Sequence, residues 1–324
     1  MAIYLGHTTA ERILDCPEAP HFESTDEVPM RDGFVDTEAM GDVDLTRYGI
    51  TERDVLDVVV SDRGKRRDSK RIACHVSSRD LPHGAYLRLA SNVYVASPEL
   101  CLLQRAPQLS FAQRVMLASR FCGTYALSDE NSQGFVARMS ITTPERLYEF
   151  VHLCRNARGV LQALEAIACT LPNAASPMET AMAMPFYLPS ERGGFALPKP
   201  TMNFGIELNE LACAMAGTIQ AYVDVYWEDG AVGLEYQSEL FHRGDEKYGK
   251  DIGRQIALES MGKVIHMVTI EQMKNPAQLE WLAMLVADRL GLELDLREGA
   301  ERREGLIQDI LSTRTMHSIS TKPR

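Results

Sequence analysis

The chain contains no run of about 18 apolar residues, so its sequence predicts no membrane-spanning helix. Met1–Leu14 carries His7, Glu11 and Arg12 where a secretory leader would need an apolar stretch, and no such leader is expected. None of the seven cysteines (Cys16, Cys74, Cys101, Cys122, Cys154, Cys169 and Cys213) stands at C-x-x-C spacing from another. Scattered and odd in number, they exclude the common zinc patterns and a disulfide framework, and lead to reduced thiols in a cytoplasmic protein. Basic charge is also short: 34 Lys and Arg against 45 Asp and Glu leave a formal net charge of −11. That balance argues against a generic, charge-driven nucleic-acid binder. It leaves room for a local basic patch or for a metal held by acidic residues.

What is present is ordinary globular composition. The 324 residues, 45% hydrophobic and 24% charged, suffice for about two domains of ~150 residues each. Glu18–Asp44 holds nine acidic residues and, apart from Arg31, no Lys or Arg, and reads as a solvated, poorly regular segment. The run Arg63–Arg71 then places six basic residues in nine positions. An exposed loop is the plain reading. A phosphate-contacting loop through Lys65, Arg66, Arg67, Lys70 and Arg71 is the functional one. Docking onto the acidic segment is a third.

Strand patterns cover Ile72–Val76, Tyr86–Ala90 and Val93–Ala96, the last two joined by a tight turn at Ser91-Asn92. Ser97-Pro98 opens a helix, as N-cap and first helical residue. Helical spacing spans Ser110–Cys122, closed by Gly123, and then Pro144–Thr170. In the latter, Leu147, Phe150, Val151, Leu161, Leu164, Ile167 and Ala168 are the expected buried positions. After a break at residues 171–176 come a helix from Ser176 to about Leu188 and a Gly/Pro-rich loop to Pro200. Two alternating strands, Ile219–Trp227 and Ala231–Gln237, are followed by a helix over Asp245–Met261, a strand over Val264–Val268 and a helix from Asn275-Pro276 to Leu290. Ser312–Arg324 is expected to be a mobile tail.

The two alternating strands carry the chemistry. Asp229-Gly230 between them is a strong hairpin signal, and a two-residue type I′ turn with positive φ at both positions is expected there. The register then pairs Trp227 with Val232, Val225 with Leu234 and Val223 with Tyr236 on an apolar face. On the other face Asp224 meets Glu235 and Tyr222 meets Gln237. A slip of one residue would mix the faces, so burial selects this register. Like charges directly opposed across strands are destabilising. A divalent cation, Mg²⁺ or Mn²⁺, shared by Asp224 and Glu235 would give the pair its reason, since hard oxygen ligands suit those ions. The plain alternatives are an exposed pair relieved by solvent, or one protonated carboxyl. Glu179, three positions after Ser176, could equally be part of a capping box. Arg254 has Asp251 three positions before it on the same helix face.

The stretches Ser176-Pro-Met-Glu179, Tyr222-Val-Asp224-Val-Tyr-Trp227, Gly233-Leu-Glu235-Tyr-Gln-Ser238, Phe241-His242 and the Asp251…Arg254…Leu258…Gly262 helix resemble the Vsr-like, restriction-endonuclease-fold family. That family is related to the very-short-patch repair endonuclease. The resemblance covers roughly residues 175–290. Actinobacterial members with a longer N-terminal portion are the most similar, and here His83–Glu99 is faintly similar to AbiEi-type antitoxins and regulators. The resemblance implies an α/β chain: a smaller α+β region over 1–171, an endonuclease-like domain over 172–291 with a central mixed sheet flanked by helices, and a tail over 292–324. It implies Mg²⁺- or Mn²⁺-dependent phosphodiester hydrolysis on DNA. Asp224 and Glu235 would be the metal ligands, Glu179 would act through water, and His242 would be a base or phosphate contact.

One departure stands out. Related sequences carry Asp two residues after the second acidic residue, and the wider superfamily Lys; here it is Gln237. An amide can hydrogen-bond a water or phosphate but is no base at neutral pH. The rival expectation is therefore a non-catalytic DNA-binding regulator or antitoxin-like protein, with a protein partner such as a toxin.

Overall fold

The computed structural model describes residues 2–17, 19, 23–24, 44–77, 80–128, 130–237 and 245–312, without the side chains of 245–251. Most of the acidic segment, His242 and Asp251's side chain thus lie outside the described residues. The chain is mixed α/β and divides into two compact units, Met1–Thr170 and Leu171–Arg324, one residue from the expected boundary. Among the described residues no helix is long and apolar enough to cross a membrane.

The first unit comprises β1 (Ile3–Leu5), α1 (His7–Leu14), β2 (Glu23–Ser24), β3 (Leu56–Val60), β4 (Ile72–Val76), β5 (Tyr86–Ala90), β6 (Val93–Ala96), α2 (Pro98–Arg105), α3 (Phe111–Phe121), β7 (Tyr125–Leu127), β8 (Phe135–Ala137), α4 (Pro144–Leu153) and α5 (Val160–Ala168). Its six-stranded sheet runs β2-β5-β6-β1-β3-β4. The central strands β1 and β3 are buried almost throughout, and apart from Asp57 their residues are apolar. Ser97 caps α2 by accepting from the N–H of Leu100, and Ser110 and Gln113 form a capping box on α3.

The helix expected over Pro144–Thr170 is two helices. The break falls before Gly159, whose φ of 96° other residues rarely adopt; a β-carbon there would also lie 2.8 Å from the carbonyl oxygen of Leu103. Restarting the helix rotates its face. Val160, Ala163, Ala166 and Ile167 are buried, while Leu161 is 80% exposed and Ala168 is exposed. None of the seven cysteines is in a disulfide.

The second unit comprises α6 (Pro177–Tyr187), β9 (Thr201–Glu207), α7 (Glu210–Ala216), β10 (Gln220–Trp227), β11 (Val232–Tyr236), α8 (Asp245–Ser260), β12 (Val264–Val268), α9 (Ile270–Met273), α10 (Pro276–Arg289) and α11 (Ala300–Leu311). Its sheet order is β9-β10-β11-β12, with the first three strands antiparallel and β12 parallel to β11. The parallel return is made through α8, which packs on β12 and α7, while α6 and α10 pack on β11.

Residues 292–324, expected to be a tail, include the helix α11, which packs against α6. Leu306, Ile307 and Ile310 bury its apolar face. The guanidinium of Arg303, 2% exposed, donates to Glu280 Oε1 (2.7 Å) and to the carbonyls of Leu296 and Glu298, and lies 4.3 Å from the Phe195 ring centroid. Truncating Ile307, 4% exposed, to Ala should therefore cost about 2–5 kcal/mol in denaturant unfolding. A change below about 0.5 kcal/mol, as on a solvated tail, would contradict this packing.

A carboxylate cluster as candidate functional site

The hairpin register follows the sequence pattern at its turn end: Trp227 pairs with Val232, Tyr226 with Gly233 and Val225 with Leu234. The turn differs from expectation. Ala231 N–H donates to Glu228 O (3.0 Å), and the left-handed residue is Ala231 (φ 48°), not Asp229 or Gly230. Gly230 serves closeness instead, since a β-carbon on it would sit 3.1 Å from the Arg289 carbonyl oxygen.

Beyond Val225 the alternation changes phase. Val223 and Tyr226 belong to one core cluster with Ala257 and Leu258 of α8, so the expected split into one apolar and one polar face does not hold. A β-carbon on Gly233, the partner of Tyr226, would lie 2.6 Å from Val223 Cγ1, placing both on the same side. Asp224 sits at the change. Its Oδ2 accepts the backbone N–H of Tyr236 (2.8 Å), so its side chain turns toward the neighbouring strand. On β9, Asn203 occupies the register position between the Val223–Phe204 and Val225–Met202 pairs, and its backbone is left-handed (φ 49°). Asp224 and Glu235 remain close enough for the charge of Glu235 to bear on Asp224, but each has its own hydrogen-bond partner, the Tyr236 N–H for Asp224 and Arg254 for Glu235.

Glu179, 8% exposed, comes from the first turn of α6. Ser176 Oγ accepts its N–H (3.2 Å), and Glu179 Oε2 in turn accepts from Ala175 N–H (2.7 Å) and Asn203 Nδ2 (2.7 Å). The capping reading is thus met one residue further back than in a capping box, and the carboxylate also reaches β9. Asn203 Nδ2 donates as well to the carbonyl of Asn173 (2.9 Å). Glu235, 6% exposed, is held bidentately by Arg254 of α8, with one contact of 2.7 Å, and the same guanidinium donates to Tyr222 O (2.9 Å). Arg254 therefore serves β10 and β11. Gln237 is half-buried, its backbone N–H donating to Val268 O (2.8 Å). Tyr226 is buried and stacks on Phe204 (4.9 Å), whereas Tyr222 is exposed.

Burial, the charge of Glu179 and then that of Glu235 push the Asp224 carboxyl up to about 7, against the Tyr236 N–H and Arg254. Burial raises Glu179 too, partly offset by its hydrogen bonds to Ala175, Asn203 and Ser176. Asp224 thus feels Glu179 more than Glu235. Two buried carboxylates, Glu179 and Glu235, and the half-buried Asp224 share one nearby guanidinium, which grips Glu235 and offsets part of the charge felt by Asp224; such an excess favours either a bound proton or a bound cation. Hard oxygen donors at Glu179 and Asp224 fit a divalent ion. Among the described residues, however, no group of three or more His, Cys, Asp or Glu is gathered as a metal site. Glu235 is the carboxylate that is paired with a guanidinium, that of Arg254.

In the first unit the basic run forms the β3–β4 connection. Asp62 caps a single 3₁₀ turn at Arg63–Lys65, Lys65 reaches Ser61 Oγ (2.9 Å), Arg66 pairs with Asp68, and Arg67 donates to the carbonyls of Gly64 and Arg66. Lys70 and Arg71 are exposed. A second polar cluster there was not legible in the sequence. His75 Nε2 meets Asp57 Oδ1 (2.7 Å), and the His7 ring stacks on His75 (3.7 Å). Burial and the neighbouring His75 lower His7 to about 4. No spacing signals this cluster, because it is assembled from α1, β3 and β4.

Compared with family models, curated proteins and solved structures, the chain matches none.

A carboxyl raised in the fold binds a proton that the unfolded chain has already released. Its stability contribution is full below about 4 and is lost as pH rises toward about 7. Without metal, the melting temperature of the wild type should fall relative to Asp224→Asn between pH 4.5 and 7.5. Parallel pH profiles of the two proteins would contradict the assignment.

Proposed function

We propose that the second unit is a divalent-metal-dependent endonuclease of the Vsr-like, restriction-endonuclease-fold kind, cleaving phosphodiester bonds in DNA. The observation that carries the reading is the meeting of Glu179, Asp224 and Glu235 from α6, β10 and β11 on one four-stranded mixed sheet. The parallel return to β12 through α8 gives the sheet the mixed character that reading requires.

Glu179 and Asp224 would hold Mg²⁺ or Mn²⁺. When bound, the ion lowers the pKa of an attacking water and offsets charge developing on the phosphate. The protein's own groups set the stage. Asn203 orients Glu179, and the Tyr236 N–H fixes Asp224. Gln237 can hydrogen-bond a water or a phosphate oxygen but cannot take a proton. His242 is the proposed loop contact. Lys65, Arg66, Arg67, Lys70 and Arg71 are the proposed backbone contacts to DNA.

The second reading, a non-catalytic DNA-binding regulator or antitoxin-like protein, is favoured by Gln237 and by the engagement of Glu235 with Arg254.

A supercoiled-plasmid nicking assay decides between them. Nicking should require Mg²⁺ or Mn²⁺ and fall at least about a hundredfold in Asp224→Asn. DNA binding without nicking would select the regulator. Replacing Lys65, Arg66 and Arg67 with Ala should reduce the log–log salt slope of duplex binding by about 0.9 per lost phosphate contact. An unchanged slope would leave that run a surface loop.

A further inference from the structure

The conspicuous deficit of the site is a cation. Gln237 is neutral, and among the described side chains Arg254 is the one whose positive charge touches the carboxylate cluster. Its position is that of a shared group. It comes from α8, not from the hairpin, and grips both oxygens of Glu235 and the carbonyl of Tyr222 on the adjacent strand. Its side chain stays 30% exposed while that of Glu235 is 7% exposed, so the guanidinium stands between the buried carboxylate and solvent. A guanidinium's planar fork matches a phosphate as well as it matches a carboxylate. While it holds Glu235, it occupies a lone pair on each carboxylate oxygen and sets a positive charge where a divalent ion would approach.

We propose that Arg254 is a displaceable phosphate-binding cation of this site. Its pairing with Glu235 is a resting latch that must open before Glu235 can ligate a divalent ion, and opening frees the guanidinium for a DNA phosphate. The proposal rests on the nuclease reading and adds a coupling to it: metal and Arg254 compete for Glu235, and phosphate and Glu235 compete for Arg254. No covalent step is involved. Arg254 need not move far, because its anchor on Tyr222 O already places it over β10, the strand that carries Asp224.

The test is calorimetric titration of the full chain with Mn²⁺ alone, together with melting temperatures at each Mn²⁺ concentration, on wild type, Arg254→Met, Arg254→Lys and Asp224→Asn. Arg254→Met leaves Glu235 buried and unpaired, so its apo form should melt lower than wild type. With the latch gone, Mn²⁺ should bind roughly tenfold tighter, the equivalent of one charged hydrogen bond. Added Mn²⁺ should raise the melting temperature of Arg254→Met more than that of wild type. Arg254→Lys, which keeps the charge but loses the fork, should fall between them. Should Arg254→Met fail to fold, the Lys variant carries the comparison. In Ca²⁺, duplex binding by Arg254→Met should weaken, its salt slope falling by about 0.9.

If wild type binds Mn²⁺ and Asp224→Asn does not, the metal site on which the nuclease reading depends stands. Unchanged or weaker Mn²⁺ affinity in both Arg254 variants would then overturn the latch alone, showing an ion pair that only holds α8 to the sheet. If neither wild type nor any Arg254 variant binds Mn²⁺, both fall. Binding gained only in the Arg254 variants would support the latch most strongly.

Discussion

Everything in the second unit bears on the uncompensated negative charge around Asp224. Burial and the charge of Glu179 disfavour the anion of this carboxyl and push it up to about 7. The Tyr236 N–H takes one of its oxygens, so the side chain is part of the link between β10 and β11 as well as a charge. The left-handed Asn203 on one side and Arg254 on the other then hold Glu179 and Glu235 in fixed directions around it. The cluster is arranged, with hydrogen bonds on every carboxylate, and it is short of positive charge. Those two properties together carry the metal reading.

Strained or perturbed residues concentrate where structure serves function. In this unit a left-handed non-glycine residue, two raised carboxyls and a change of strand phase coincide at one place. The first unit has its own such place, where His7, with φ 49°, stacks on His75 beside Asp57. There Asp57 has a partner on each oxygen, the His75 imidazole on one and the Thr9 N–H near the other (3.3 Å), and Thr9 Oγ1 takes the Asp57 N–H. That arrangement binds α1 to β3 and β4.

Much of this was legible in the sequence where a local rule governs. Ser97-Pro98, Ser110 and Asn275-Pro276 mark helix starts, and the chain begins helices at all three. Alternation around Asp229-Gly230 gives the near half of the hairpin register. Where a tertiary contact governs, the sequence was silent. Strand β9 carries Asn203 and Gly205 at its centre, which hides its alternation. The face of α5 depends on Gly159 meeting Leu103. Arg254 pairs with Glu235, 19 residues away, and helix spacing could only suggest Asp251. That the charge of Glu179 weighs on Asp224 more than that of Glu235 was hidden for the same reason, since it depends on how α6, β9 and β10 fold together.

The central claim is that Asp224, whose carboxyl burial and the neighbouring Glu179 push up to about 7, is where a divalent ion would bind. Metal binding to a protonated ligand releases its proton. The direct measurement is Mn²⁺ calorimetry at pH 6 in two buffers of different ionisation enthalpy, repeated at pH 8.5. The account predicts release of about one proton per ion at pH 6, little at pH 8.5, and none from Asp224→Asn. Binding at pH 6 without proton release, or equal release from the Asn variant, would contradict it.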